Sequence, residues 1–368
     1  MRKNITIEAN GILLDLDTFT LRQGDEVLRL NPPYSKTLNK RTYLKITNCC
    51  NAQCQYCFQR IHGSKKSNKL TDYESLLKRI IQADQEIVIF GGEPFLKQCI
   101  SDIEYLFSLD ENKKFIIFTN GYFGKEARQF INVKKEQFKS IIISVDGLEE
   151  THNHRRPLIN GNGFLKILAN LDSLHNAKIP ATIQINIDKR NYHEIYDLLL
   201  FLRNKYGTFF PVQLNKVLHS NNELSTTDLL KLYIKIKQEN DYPNLFLNSV
   251  VKEKVINLLT EKSLSCARCD IVTTRVYDFT NNTIYCCPQL EHSIIGSFNS
   301  QNEIILKEKT LHYSRVTMKE SGPCSDCQLR CLCEYGCLDD NEEFKADCFE
   351  NTLDAIKLII LNYMIFLN

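Results

Sequence analysis

CNAQCQYCF, the stretch from Cys50 to Phe58, sets three thiols at spacings of four and then three residues. A structural zinc site closes with four ligands, and paired cysteines at short spacing commonly supply them. Zinc would need Cys49 or a distant residue to complete this set. A [4Fe–4S] cluster makes a different demand. It has four irons, so three cysteines leave one iron without a protein ligand, free to hold a substrate or cofactor.

The 368 residues contain 15 cysteines, and their distribution says more than their number. Four fall between Cys49 and Cys57, Cys99 stands alone, and ten lie between Cys266 and Cys348. The N-terminus, MRKNITIEANG, has neither the apolar core nor the cleavage site of a signal peptide, so a cytoplasmic location is expected. In that compartment thiols stay reduced, and two clusters of cysteines read as metal sites rather than a disulfide framework. For Cys99, on an expected helix, a small buried apolar role is the simpler reading. The 46 Lys and Arg balance 44 Asp and Glu for a net charge of +2, which gives no basis for nucleic-acid binding. The apolar run from Ile356 to Leu367 is short and interrupted by Lys357 and Asn362, so it reads as a packed terminal helix and not a membrane span.

From Arg41 onward, β-rich runs alternate with helical periodicity. Strands are expected at Tyr43–Thr47, Glu86–Phe90, Lys114–Thr119, Ser140–Val145, Thr182–Ile187 and Phe210–Val217. Between them, helices are expected at Asp72–Ala83, Leu96–Phe107, Lys125–Val133, Gly163–Ser173 and Tyr192–Asn204. The runs IVIF, FIIF and IIIS suit strands buried on both faces. Repeated βα units predict a parallel sheet with right-handed crossovers, curled into a partial (β/α)6 barrel. Chemistry in such folds sits just past the C-terminal ends of strands. Before Arg41, alternation with turns at Asn10-Gly11 and Gln23-Gly24 predicts a short β appendage. The expected division is a β appendage over 1–40, the barrel over 41–220, a helical bridge over 221–265 and a cysteine-rich domain with a terminal helix over 266–368.

The strand ends carry motifs in a consistent order. After the second strand come Gly91, Gly92, Glu93 and Pro94; after the third, Thr119-Asn120-Gly121; after the fourth, Ser144-Val145-Asp146-Gly147. With CxxxCxxC after the first, this series resembles the radical S-adenosylmethionine (SAM) superfamily over most of the chain. The resemblance implies that Cys50, Cys54 and Cys57 hold a [4Fe–4S] cluster whose open iron chelates SAM. One electron then cleaves the sulfonium to a 5′-deoxyadenosyl radical. It also implies SAM contacts by Tyr56 near the adenine, Gly91, Gly92 and Glu93 near the amino group, Ser144 and Asp146 beside the ribose, and Asn120 as a further cofactor-binding residue. Arg156 matches an arginine that pairs with the SAM carboxylate, and Arg155 is the adjacent alternative.

The second cysteine field, CSDCQLRCLCEYGCLDDNEEFKADC, contains Cys324, Cys327, Cys333, Cys337 and Cys348. It resembles the SPASM extension of radical SAM enzymes that modify peptides and proteins. Upstream, Asn281-Asn282 stands where an Asp-Gly turn is usual in that family, before a short strand ending at Cys286-Cys287. Asn tolerates the left-handed backbone such a turn needs. Carried over, the resemblance implies one auxiliary [4Fe–4S] cluster on Cys266, Cys269, Cys287 and Cys337. A second would sit on Cys324, Cys327, Cys333 and Cys348, for three clusters in all. A pair of zinc sites is the alternative, since thiolate pairs do not separate zinc from iron.

The resemblance points to an oxidoreductase acting on a ribosomally made precursor peptide, with an external one-electron reductant of flavodoxin or ferredoxin type. The family's sulfatase maturases follow the cysteine at the Cys287 position with an aspartate base; this chain has Pro288 there. Formation of an intramolecular crosslink, a C–C cyclophane or a thioether, fits the need for an electron exit. A redox-neutral epimerase would need a thiol hydrogen donor, for which Cys99, Cys286 and Cys331 are the remaining choices. A non-catalytic iron–sulfur or zinc protein would have no use for the glycine turn, the SVDG turn and Arg156 together. The leader of the peptide would meet the strand edge of the appendage by β-addition, or a separate protein.

Overall fold

The computed structural model describes residues 6–9, 11–15, 20–29, 41–59, 68–83, 85–159, 161–218, 222–240, 242–261, 274–289, 293–307, 327, 329, 332–333 and 348–367. Four short strands open the chain: β1 (Thr6–Ala9), β2 (Ile12–Asp15), β3 (Thr20–Gln23) and β4 (Glu26–Arg29). They form an antiparallel meander in sequence order. Gly11 and Gly24, with φ of +74° and +60°, take the left-handed conformation at two of its turns. Alternation puts Ile7, Ile12, Leu14 and Leu21 into the core.

The main body then alternates strand and helix. It runs β5 (Arg41–Thr47), α1 (Glu74–Gln82), β6 (Glu86–Gly91), α2 (Ile100–Ser108), β7 (Phe115–Thr119), α3 (Lys125–Val133) and β8 (Phe138–Ser144). Two helices follow, α4 (Glu149–Arg155) and α5 (Gly163–Asn176), before β9 (Ala181–Ile187), α6 (Ile195–Tyr206) and β10 (Val212–Lys216). Next come α7 (Thr226–Asn240), β11 (Leu245–Asn248) and α8 (Val250–Glu261). The last elements are β12 (Arg275–Asp278), β13 (Thr283–Tyr285), β14 (Ile294–Phe298), β15 (Ile304–Leu306), α9 (Cys348–Leu361) and α10 (Tyr363–Leu367). All six expected strands form, with ends displaced by no more than two residues. α4 and β11 were not expected from the sequence.

One sheet of eleven strands runs β11-β10-β9-β8-β7-β6-β5-β12-β13-β14-β15. Strands β5 to β11 pair in parallel, and β12 joins β5 in parallel before turning into an antiparallel run to β15. The strand pleat sorts side chains onto two faces. Leu44 and Ile46, Ile87 and Ile89, Ile183 and Ile185 enter the large core, together with the buried stripes of the helices. In α1 that stripe is Leu76, Leu77, Ile80 and Ile81, at helical spacing. The opposite face keeps a separate small cluster of Phe90, Val276 and Tyr285, flanked by Tyr43 and Phe118. The helix stripes among the described residues join the large core and none joins the Phe90 cluster, the pattern of a barrel wall and not of a doubly wound sheet. Among the described residues, no helix is long and apolar enough to cross a membrane.

Candidate functional site

The loop that carries Cys50, Cys54 and Cys57 leaves the C-terminal end of β5 and is held from several sides. Below it, the Gly92 and Glu93 amides donate to the carbonyls of Thr47 and Cys49, each at 2.8 Å. The β6 turn can approach this closely because it lacks side chains. A Cβ on Gly91 would lie 2.3 Å from the Thr47 carbonyl oxygen, and one on Gly92 would lie 2.0 Å from that of Cys49. Gly91 also has φ of +145°, a conformation side-chain-bearing residues rarely adopt. The glycine pair thus seats the cysteine loop itself.

The end of β7 grips the loop next. Asn120 Nδ2 donates to Asn51 Oδ1 at 2.6 Å, and Asn51 Nδ2 donates to the Tyr122 carbonyl at 3.2 Å. Glu93 is fully buried and ties the two turns together. Its carboxylate accepts from the Phe95 amide, the Thr119 hydroxyl and the Asn120 amide at 2.7–2.8 Å. Burial pushes the Glu93 carboxyl up to about 7 against the pull of those donors.

The third grip is a short antiparallel ladder that joins the loop to the exit of α4. Gln53 N donates to Pro157 O at 2.8 Å, Gln55 N to Arg155 O at 3.0 Å, and Ile159 N to Asn51 O at 3.0 Å. Ala52 and Leu158 form the bridge pair. This ladder brings Arg155 and Arg156 to Tyr56, with guanidinium carbons 5.0 and 5.8 Å from its ring centre. Tyr56 donates its hydroxyl proton to Asp146 and accepts from Arg156 Nη1. Asn186 Nδ2 adds a further donor to the hydroxyl at 3.1 Å. Burial above all keeps the Tyr56 hydroxyl well above the ordinary phenol range; Arg156 opposes this and Asp146 adds to it.

Asp146 is fully buried and held on both sides. Its Oδ1 accepts from the Asn186 amide at 2.9 Å, and its own amide donates to His152 Nδ1 at 3.2 Å. Burial first, and then the two arginines, depress His152 to about 4, so it is neutral and its Nδ1 can accept. Arg155 is committed elsewhere: Nη1 donates to Asp188 at 2.6 Å and Nη2 to the Asn186 carbonyl at 3.0 Å. Both arginines keep a buried Nε with no hydrogen-bond partner among the described residues. What separates them is placement: Arg155 is paired with Asp188, whereas Arg156 bonds the Tyr56 hydroxyl and so is the one placed to meet an anionic ligand beside Tyr56.

These residues fit an iron–sulfur cluster and SAM. Burial pushes the Cys50 thiol up to about 12 and raises Cys54 as well. As free side chains they are neutral, and a metal must displace their protons. The Ala52 amide already points at Cys50 Sγ from 3.4 Å, a contact that stabilises sulfur charge. No group of three His, Cys, Asp or Glu side chains among the described residues is placed to hold one metal ion. A cluster makes no such demand, since it spreads its thiolates over separate irons.

In the second cysteine field, Cys266, Cys269, Cys324, Cys331 and Cys337 lie outside the described residues. Cys287 follows β13, and Cys348 opens α9. Cys333 Sγ sits 3.6 Å from Thr352 Oγ1, one turn along α9 from Cys348. The Asn281-Asn282 turn is left-handed at Asn282, with φ of +56°. Cys286 is buried with its sulfur 3.5 Å from Ser293 Oγ, and Cys99 is buried in the wall. Ser144 ends β8 and is buried. Sequence reading did not pick out Asn186, Asp188, His152 or the pairing of residues 155–159 with the cysteine loop. Only Asn186 left a trace, as one of the polar residues, with Thr182 and Gln184, that alternate with isoleucines along β9.

The Radical SAM superfamily profile matches residues 44–202. The sporulation killing factor maturation protein SkfB of Bacillus subtilis is 24% identical over 187 residues, 48% of this chain and 42% of that protein. An uncharacterized protein of Methanocaldococcus jannaschii is 27% identical over 288 residues, 73% of this chain and 91% of its own length. Among solved structures, native anSMEcpe with bound AdoMet superposes with a TM-score of 0.69 at 17% identity, covering 89% of this chain and 98% of that one. Streptococcus suis SuiB bound to precursor peptide SuiA gives 0.65 at 15% identity, covering 85% and 76%. At such identities the structures speak for the fold. The profile match spans the cysteine loop, all three later turns and both arginines, so it is this part of the chain, residues 44–202, that is similar to the Radical SAM superfamily.

Proposed function

We propose that this chain is a peptide maturase that removes hydrogen from a ribosomally made precursor and installs an intramolecular crosslink, a C–C cyclophane or a thioether. The observation that carries the reading is the cysteine loop, fixed by the ends of β6, β7 and α4 at the C-terminal end of β5. The names of SkfB, a maturation protein, and of SuiB, bound to a precursor peptide, support peptide as the substrate class. Cys50, Cys54 and Cys57 would hold the [4Fe–4S] cluster, with SAM between it and Tyr56, Asn120, Ser144, Asp146 and Arg156. When bound, that pair supplies a carbon-centred radical able to take hydrogen from an unactivated carbon.

Cys266, Cys269, Cys287 and Cys337 would hold one auxiliary cluster, and Cys324, Cys327, Cys333 and Cys348 the other. An external flavodoxin- or ferredoxin-type protein would supply the starting electron. Pro288, where sulfatase maturases carry aspartate, turns the reading from protein oxidation toward crosslinking. The chain's own residues exclude water and fix orientation: Glu93 locks the turns, and His152 holds Asp146 in place for Tyr56.

Each crosslink removes two hydrogen atoms from the peptide. Co-expression with the short open reading frames beside the gene, followed by mass spectrometry, should give a peptide lighter by two hydrogens per crosslink and resistant to proteolysis within the ring. An unchanged mass with one solvent deuterium taken up would show epimerisation instead and defeat the crosslink.

A further inference from the structure

The strand face that carries Asn186 extends beyond the cofactor site in a row of side chains to which the cofactor site gives no role. On β9, Gln184 and Asn186 alternate with buried isoleucines; on β10, Gln213 and Asn215 do the same with Val212 and Leu214. Strand register sets these in rows, with Gln213 beside Gln184 and Asn215 beside Asn186. The second row continues onto β11, where Asn248 pairs with Asn215. Paired residues of parallel strands share a face, so five carboxamides stand together on one surface. Within each strand, the glutamine Nε2 donates to the asparagine Oδ1, at 3.0 Å on β9 and 3.1 Å on β10. These bonds hold the amides at fixed angles. The ladder starts at the cofactor site, because Asn186 Nδ2 also reaches Tyr56 and Asp146.

We propose that this carboxamide ladder binds the main chain of the peptide substrate. A carboxamide is the side-chain twin of the peptide unit, with one carbonyl acceptor and an NH2 carrying two donor hydrogens. A glutamine that gives one hydrogen to its strand neighbour keeps the other, and its carbonyl lone pairs, for a ligand. Such a surface is uncharged. It suits the alternating N–H and C=O groups of an extended backbone better than phosphate, sugar acid or cation, each of which would draw charged partners. Running from Tyr56 toward β11, it would lay the backbone across the barrel face with one end at the reacting carbon. Recognition by main chain leaves side chains free to vary, which suits an enzyme acting on chosen positions of a peptide.

The inference rests on the peptide reading of the site and is tested apart from it. The chain contains no tryptophan, so N-acetyl-Ala-Ala-Trp-Ala-Ala-amide provides the only tryptophan emission in an anaerobic anisotropy titration of the holoenzyme. Wild type should bind saturably. The double variant Gln184→Leu/Gln213→Leu, of similar side-chain size, should bind about tenfold more weakly or less well still. Iron content and circular dichroism confirm that this variant folds. A peptide with an ester replacing a central amide should bind wild type more weakly than its amide parent. Equal affinity of wild type and variant, equal affinity of amide and ester, or no saturable binding to wild type would each overturn the ladder. If co-expressed precursors show no chemical change while these differences hold, the maturase reading falls and the ladder stands as a peptide site.

Discussion

Gly92 shows how a motif read for its ligand can first be a matter of packing. The family resemblance assigns the glycine pair to the SAM amino group. The structure gives it a second duty, because a methyl at Gly92 would lie 2.6 Å from the Cys49 carbonyl carbon as well as against its oxygen. Backbone cannot yield there as a flexible side chain can. Gly92→Ala should therefore displace the cysteine loop, lowering SAM cleavage on the order of 100-fold, the scale expected for displacement of about 1 Å in a reacting group. Gly124→Ala is the control, since its added methyl would meet nothing nearer than Glu126 Oε2 at 3.5 Å. Anaerobic assays of 5′-deoxyadenosine and bound iron on both variants check this. Equal loss in both, or none in Gly92→Ala, would remove the seating role.

Elements were legible where pattern repeats and obscure where it does not. EIVIF and SIII announce strands because a sheet buried on both faces needs unbroken apolar runs. α3 begins and ends where its periodicity does. α4 escaped notice because EETHNHR has no apolar stripe; its role is to place His152, Arg155 and the following Arg156. The 155–159 segment was equally hidden, being defined by pairing with residues about a hundred positions earlier. Short-range pattern carries no information about such contacts. A pH experiment tests α4 directly. His152 is held to about 4 by burial, below its unfolded value of 6.5, so the unfolded chain binds the extra proton between those limits. Stability from this group is full above pH 6.5 and is lost as pH falls to 4, a change on the order of 3 kcal/mol. Urea unfolding across that window should show a steeper fall in wild type than in His152→Asn. Parallel slopes would mean that His152 is not held neutral.

At the scale of the whole molecule, the decisive feature is that the sheet does not stop at the barrel. Sequence reading separated a barrel from a cysteine-rich region by composition. Composition cannot reveal that β12, on the way to Cys287, lies parallel against β5, on the way to Cys50. Two contacts fasten that seam. Lys45 and Asp278 form an ion pair at 3.3 Å with side chains only 1% and 2% exposed. Asn48 Nδ2 donates to Thr280 Oγ1 at 2.9 Å, and that hydroxyl donates in turn to Asp278 at 2.5 Å. The chain of contacts runs from Asp278 to the residue two before Cys50. Removing one partner of a buried pair strands the other charge, which costs about 3–5 kcal/mol. Asp278→Ala should therefore unfold at markedly lower urea and lose iron from the Cys50 loop as well as from the second field. Thr280→Val removes only hydroxyl bonds and should cost about 1–3 kcal/mol while keeping the ion pair. Iron analysis beside urea unfolding separates the outcomes. If Asp278→Ala is destabilised but the Cys50 cluster assembles and cleaves SAM at the wild-type rate, the seam stabilises the fold without positioning the loop.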